Sequence, residues 1–153
     1  MALKQTFGFI GAGRMATALA GGMAQAGLVR GRQLLGTDVV PAAANSFAKA
    51  TGGRVVKNPE ALMRQSDVVV LAVKPHQVIE LLGELAEAAT AKHLFISIAA
   101  GVILEQLETA LGGKARVIRV MPNTPALVGE GAAGFVRGTR AKAADAKLAQ
   151  QML

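Results

Sequence analysis

The chain has 153 residues, of which 52% are hydrophobic, 18% charged and 3% aromatic, a composition that predicts one globular domain and excludes a disordered tail, a collagen-like repeat and a disulfide-stapled miniprotein. It contains no cysteine and two histidines, His76 and His93, and it has no apolar run near the roughly 18 residues that span a membrane, so we predict a cytoplasmic protein that binds neither metal nor membrane. The net charge is +7, but the basic residues are scattered and tyrosine and tryptophan are absent, which favours a solvated surface over nucleic-acid binding.

Short apolar runs alternate with longer segments rich in alanine and leucine, which predicts alternating strands and helices. The predicted strands cover residues 6–10, 33–37, 54–56, 68–73, 93–97 and 116–121. The predicted helices run from about 15 to 26, after Pro41, after Pro59, from 75 to about 90, over 103–111 and from about 141 to the end of the chain.

The fourth predicted strand is apolar at every position, from Val68 to Val73, instead of at alternate positions. Both of its faces must therefore be covered, as in a parallel sheet. We predict an α/β fold with a doubly wound, mostly parallel, Rossmann-like sheet and helices on both faces, and we treat residues 1–153 as one domain. Such sheets bind ligands where their strands end, so the turns that follow the strands are the candidate sites.

The first of these turns has the sequence Gly11-Ala12-Gly13-Arg14-Met15-Ala16, between an apolar strand and an alanine-rich helix. This pattern is the dinucleotide-binding fingerprint: the first glycine permits a tight turn, the second lets the backbone approach a diphosphate, and a small third residue lets the helix pack on the strand. A ligand-free glycine turn is the alternative. Gly21 and Gly22, inside the following helix, predict close backbone packing there.

Two polar residues follow the second and third strands. Asp38, after Thr37, lies near the spacing at which an acidic residue contacts the adenosine ribose, and its charge would repel a 2′-phosphate and favour NADH. Its alternative role is to cap the helix that begins near Pro41. Asn58 likewise has a plain interpretation as a helix cap.

Later strand ends carry further candidates. Lys74 could face a phosphate or a substrate carboxylate, and His76 could donate a proton, although a histidine at a helix start is more often surface polarity. Small residues follow Ser97, where a flat ring could lie, and residues 121–125 form a polar turn flanked by prolines.

Four segments of the chain, residues 8–15, 71–75, 97–102 and 119–126, closely resemble pyrroline-5-carboxylate reductase. The resemblance implies hydride transfer from a reduced nicotinamide to the C=N bond of 1-pyrroline-5-carboxylate, which gives L-proline. It also implies contacts with the cofactor by Ile10, Gly11, Ala12, Gly13, Arg14, Met15, Asn58, Ala72, Val73, Lys74, Pro75, Ile98 and Ala100, and it places Asn123 and Thr124 next to the substrate.

Two departures from the family affect this interpretation. The family prefers NADPH, whereas Asp38 favours NADH. The family also continues into a helical domain that forms its homo-oligomer interface and holds the substrate, and no counterpart of that domain follows in this chain, so no catalytic acid can be named. The alternatives are a nucleotide-binding module without turnover and a relative of β-hydroxyacid dehydrogenases or ketopantoate reductase.

Overall fold

A computed structural model describes residues 2–122 and 133–153. Within them the chain forms one seven-stranded sheet whose spatial order is β3-β2-β1-β4-β5-β6-β7. The strands are β1 (Phe7–Ile10), β2 (Leu34–Thr37), β3 (Arg54–Val55), β4 (Val68–Leu71), β5 (Leu94–Ser97), β6 (Arg116–Pro122) and β7 (Ala133–Arg137). The first six run parallel and β7 pairs antiparallel with β6, so the predicted, mostly parallel sheet is confirmed.

Helices cover both faces of this sheet. They are α1 (Arg14–Gln25), α2 (Pro41–Thr51), α3 (Pro59–Arg64), α4 (Pro75–Leu85), α5 (Leu104–Ala110) and α6 (Ala143–Met152). One apolar core lies under α1, α2 and α6, and a second lies under α3, α4 and α5. All four residues of β4 are buried, as its continuous apolar sequence predicted.

Glycines in two strands let helices approach the sheet closely. A side chain at Gly8 would overlap those of Leu62 and Ser66 in and after α3, and one at Gly36 would lie 2.6 Å from the Phe47 ring of α2. The glycines of α1 behave differently. Among the described residues, nothing lies within 4 Å of a Cβ built at Gly21 or Gly22, so the predicted close backbone packing is wrong for that part of the chain.

The structure also differs from the sequence prediction at the end of one helix and in one strand that was not predicted. Helix α4 ends at Leu85, not near residue 90, and a turn follows in which the Leu85 carbonyl accepts the N–H groups of Ala88 and Ala89. Strand β7 was not predicted. Its sequence has a glycine near one end and an arginine at the other, so its apolar centre is too short to indicate a strand. No helix in the described part of the chain is both long and apolar enough to cross a membrane.

Candidate dinucleotide-binding site

The strand register places several turns at one edge of the sheet. Ile10, Thr37, Leu71 and Ser97 are the last residues of β1, β2, β4 and β5, and each lies opposite its neighbour in the ladder. The chain leaves β1 toward one face, as α1, and leaves β4 toward the other, as α4. This divergence opens a crevice at the carboxyl ends of the strands, where doubly wound sheets bind nucleotides.

The turn after β1 is closed tightly over the end of β4. Gly11 has φ +92°, and an added Cβ would lie 2.6 Å from the backbone carbon and oxygen of Ala72. Its N–H donates to the Thr37 carbonyl at 2.9 Å, while the Ala72 N–H donates to the Ile10 carbonyl at 2.8 Å. Only glycine fits this position, for reasons of both conformation and space.

The start of α1 is open where the turn ends. Gly13 is exposed and provides no side-chain cap, and no atom of the part of the chain that the structure describes lies within 4 Å of a Cβ built on it. The first turn of α1 contains no acidic residue, and Arg14 is exposed. N–H groups in the first turn of a helix have no partner within the helix, so this end suits an anion such as a diphosphate. Ala16 is fully buried against the sheet, as the fingerprint requires.

Asp38 contacts this turn directly. One carboxylate oxygen accepts the Ala12 N–H at 2.8 Å, and the other accepts the Val40 N–H at 2.9 Å. The second bond spans two residues and precedes α2, whose N-cap is Val40 without a side-chain cap bond, so the alternative role of Asp38 as the cap of α2 is wrong. The bond to Ala12 joins residues 26 positions apart, and no local pattern in the sequence predicts it. The Ala12 N–H is therefore used within the protein.

Asn58 caps α3, its side-chain oxygen accepting the Ala61 N–H at 2.8 Å. It follows β3, so its predicted contact with the adenosine side of a cofactor stays a prediction. The capping role explains its local sequence, in which Pro59 occupies the first helical position.

The turns after β4 and β5 lie on the other side of the crevice. Ala72 and Val73 are partly buried, whereas Lys74, Pro75 and His76 are exposed. Beyond β5, Ile98 donates its N–H to the Leu71 carbonyl at 3.1 Å, which holds this turn against the end of β4, and Ala100 is exposed. Asn123 and Thr124 lie outside the described residues.

Ionisable side chains do not gather into a metal site in residues 2–122 and 133–153: no group of three histidine or acidic residues with suitable proximity occurs there. The chemistry of the described edge is that of backbone donors, small apolar residues and isolated charges. Such an edge can hold an anionic dinucleotide and a flat ring, and it presents no evident proton donor besides Lys74 and His76.

Comparisons with known proteins agree with this geometry. The sequence model of a family described as "NADP oxidoreductase coenzyme F420-dependent" matches residues 6–101. Pyrroline-5-carboxylate reductase 3 of Rattus norvegicus is 37% identical over 153 residues, which are the whole of this chain and 56% of the relative.

Solved structures show the same relationship. A pyrroline-5-carboxylate reductase from Coxiella burnetii superposes with TM-score 0.91 at 31% identity, over 98% of this chain and 56% of that one. A Plasmodium falciparum pyrroline carboxylate reductase with NADP bound superposes with TM-score 0.86 at 30% identity, over 97% of this chain and 54% of that one. Other dehydrogenases, at identities below 25%, share the fold alone.

The chain thus spans about half the length of the relatives it matches. The resemblance to pyrroline-5-carboxylate reductases, drawn above from four short segments, is confirmed across nearly the whole chain. Because the family model covers well over half of the residues and includes the β1–α1 turn, the chain belongs to the family described as NADP oxidoreductase, coenzyme F420-dependent.

Proposed function

We propose that this chain is the cofactor-binding part of a pyrroline-5-carboxylate reductase, which reduces the C=N bond of 1-pyrroline-5-carboxylate to give L-proline with NADPH or NADH. The observation that carries the proposal is the β1–α1 turn, where Gly11 closes against Ala72 and α1 begins at Gly13 without a side-chain cap. Similarity to reductases of this name over nearly the whole chain supports the choice of reaction.

In this proposal the diphosphate lies on the N–H groups at the start of α1. Gly13, Arg14 and Met15 contribute those groups, and the exposed Arg14 side chain adds a positive charge. Ile10, Gly11 and Ala12 form the turn that aims them. The carboxyl end of β2 then faces the adenosine ribose with Thr37 and Asp38, and Asn58 lies on the adenosine side.

The nicotinamide end of the cofactor would extend across the ends of β4 and β5. When bound, the reduced nicotinamide supplies the hydride. The chain's own part is to hold the nicotinamide ring so that the flat substrate ring can lie face to face with it, which is a proximity effect. The residues proposed for this part are Ala72, Val73, Lys74, Pro75, Ile98 and Ala100, with Asn123 and Thr124 beside the substrate.

The proton donor for the imine nitrogen is proposed to lie in the half of the reductase that this chain does not cover. The whole protein is proposed to be a homo-oligomer, as the resemblance implies. Its proposed location is the cytoplasm, where reduced nicotinamide cofactors are available. The proposal includes neither nucleic acid nor membrane as a partner.

The first test is a titration of the chain with NADH and NADPH, followed by nicotinamide fluorescence. The chain has no tyrosine or tryptophan, so its own emission does not interfere. We expect saturable binding and no oxidation when 1-pyrroline-5-carboxylate is added, because the substrate-holding part is contributed from elsewhere. Fast oxidation of the reduced cofactor by the chain alone, with reduction of 1-pyrroline-5-carboxylate to proline, would contradict its assignment as the cofactor part.

The reaction itself is tested with a chimera in which this chain replaces the matching part of the rat relative. We expect oxidation of reduced cofactor that depends on 1-pyrroline-5-carboxylate. Gly11→Ala should abolish it, because the Cβ would overlap Ala72, whereas Gly21→Ala, which meets nothing within 4 Å, should not. Turnover of only 3-hydroxy acids or ketopantoate would favour the other dehydrogenases, and binding without any turnover would favour a nucleotide-binding module.

A further inference from the structure

The Asp38 carboxylate is held at both of its oxygens by backbone N–H groups. Ala12, in the β1–α1 turn, donates to one oxygen at 2.8 Å, and Val40, at the entry to α2, donates to the other at 2.9 Å. Two bonds fix the plane of the carboxylate, so the side chain is a rigid link between two turns of the crevice. Each oxygen keeps a second lone pair for a ligand hydroxyl.

The Ala12 N–H depends on this link. Ala12 is only 2% exposed, so its N–H would be a buried donor without a partner if the carboxylate were removed. The preceding N–H, of Gly11, already donates to the Thr37 carbonyl at 2.9 Å. Two consecutive N–H groups of the turn are therefore bonded to the end of β2. The first donates to the backbone carbonyl of Thr37, and the second donates to the side chain of Asp38.

On its other side the same turn lies directly against β4, where Gly11 leaves no room for a Cβ beside Ala72. The turn is thus confined between the ends of β2 and β4, and the open side is the one at Gly13, where α1 begins. Loss of the bond to Asp38 would leave the turn held on the β2 side by the Gly11 N–H alone, so the start of α1 could shift.

We propose that Asp38 is a positioning residue for the diphosphate, which holds the β1–α1 turn in its anion-binding shape through the Ala12 N–H, in addition to any contact with the ribose. The proposal rests on the dinucleotide binding proposed above, but not on the identity of the substrate. It makes Asp38 important for ligands that have no ribose at all.

Removal of the Asp38 carboxylate should change pyrophosphate affinity in opposite directions, depending on whether the residue acts only through its charge or also positions the turn. A carboxylate beside an anion site weakens anion binding by charge alone, so a residue that only faces the ribose should, on removal, leave binding of inorganic pyrophosphate unchanged or strengthen it. A residue that positions the turn should, on removal, weaken it.

The experiment compares wild type, Asp38→Ala and Asp38→Asn by competition of inorganic pyrophosphate against NADH. We expect Asp38→Ala to weaken pyrophosphate at least about fivefold, roughly 1 kcal/mol by the usual conversion. Asp38→Asn keeps an oxygen acceptor for the Ala12 N–H without the charge, so it should bind pyrophosphate at least as well as wild type. Equal or tighter binding by Asp38→Ala would overturn the proposal, as would failure of pyrophosphate to compete in the wild type.

Amide hydrogen exchange in the ligand-free protein is a second test, which measures the Ala12 hydrogen bond without any ligand. The Ala12 amide should exchange at least about tenfold faster in Asp38→Ala than in wild type, with protection restored in Asp38→Asn. An unchanged Ala12 rate in Asp38→Ala would overturn the proposal even if cofactor binding and turnover are as proposed.

Asp67 provides the matched control. Its carboxylate accepts the Thr6 N–H at 2.8 Å, the same kind of bond, at the opposite end of β1. Asp67→Ala should speed exchange at Thr6 and leave pyrophosphate competition unchanged. Equal weakening of pyrophosphate by Asp67→Ala and Asp38→Ala would attribute the effect to general destabilisation and count against the proposal.

Discussion

We expect the Asp38 side chain to discriminate between NADH and NADPH. Its carboxylate lies at the end of β2, within a hydrogen bond of the β1–α1 turn. A 2′-phosphate near that carboxylate would be repelled, and two unit charges about 5 Å apart near a protein surface interact by roughly 1–3 kcal/mol. We therefore predict that this residue favours NADH, although a Plasmodium falciparum relative has been solved with NADP bound.

We expect Asp38→Ser to shift the ratio of NADPH to NADH affinity toward NADPH by about tenfold, because the repulsion of the 2′-phosphate is removed. Both affinities can fall, since the bond to Ala12 is lost, so the ratio and not either affinity is the relevant measurement. Fluorescence titrations of both cofactors measure it. Asp67→Ser is the control, and an unchanged ratio in Asp38→Ser would show that the carboxylate does not face the ribose.

His93, at the opposite edge of the sheet, makes the stability of the protein depend on pH. Its Nδ1 accepts the Thr90 N–H at 3.1 Å, which favours the neutral ring. Burial lowers the pKa of His93 below its ordinary 6.5; the Met63 backbone carbonyl raises it, Arg116 lowers it, and Asp67 raises it. The net direction is downward, so protonation of His93 opposes folding.

The free energy of unfolding should therefore fall as the pH drops below about 6.5, because the unfolded chain takes up the proton first. Urea unfolding at about pH 7.5 and about pH 5 measures this change. In His93→Gln, whose side-chain oxygen can still accept the Thr90 N–H, the dependence should be smaller. An equally steep dependence in His93→Gln would assign it to carboxylates instead.

At the scale of elements, glycines in the strands and in α1 have different roles. Gly8 in β1 lies directly beneath Leu62 of α3, while Gly21 in α1 has open space where a side chain would go. The first glycine is required by packing between elements. The second weakens a helix without any compensating contact among the described residues.

We expect Gly8→Ala to lower the free energy of unfolding by about 1–3 kcal/mol through overpacking. Gly21→Ala should raise it by up to about 1 kcal/mol, because alanine is the better helix former. Urea unfolding of the two variants against wild type measures both. A neutral Gly8→Ala would mean that α3 can move away from β1 at little cost.

For the molecule as a whole, the order of the strands creates the crevice. The chain places β2 and β3 on one side of β1 and then crosses to β4 on the other, so that α1 and α4 leave neighbouring strands toward opposite faces. Far from this edge, Arg116 ties the sheet to α6: it pairs with the buried Asp145 and donates to the Ala91 and Lys92 carbonyls. The opposite edge thus carries a side-chain link between the sheet and α6.

The sequence by itself determined the alternation of strands and helices, the covered faces of β4 and the glycine turn before α1. These are local properties: apolar periodicity, a tight turn and a small residue at Ala16 can all be recognised within a few positions of the chain. They sufficed for the fold class and for the part of the candidate site that consists of backbone.

Only the tertiary structure decided which groups meet. The bond from Ala12 to Asp38 joins residues 26 positions apart, and the pairing of β7 with β6 depends on a neighbour that no local pattern specifies. Gly21 shows the converse, since a glycine in a helix indicates close packing only if another element passes beside it, and none does among the described residues. Partners across space are set by the arrangement of whole elements, which is why they had to be found in the structure.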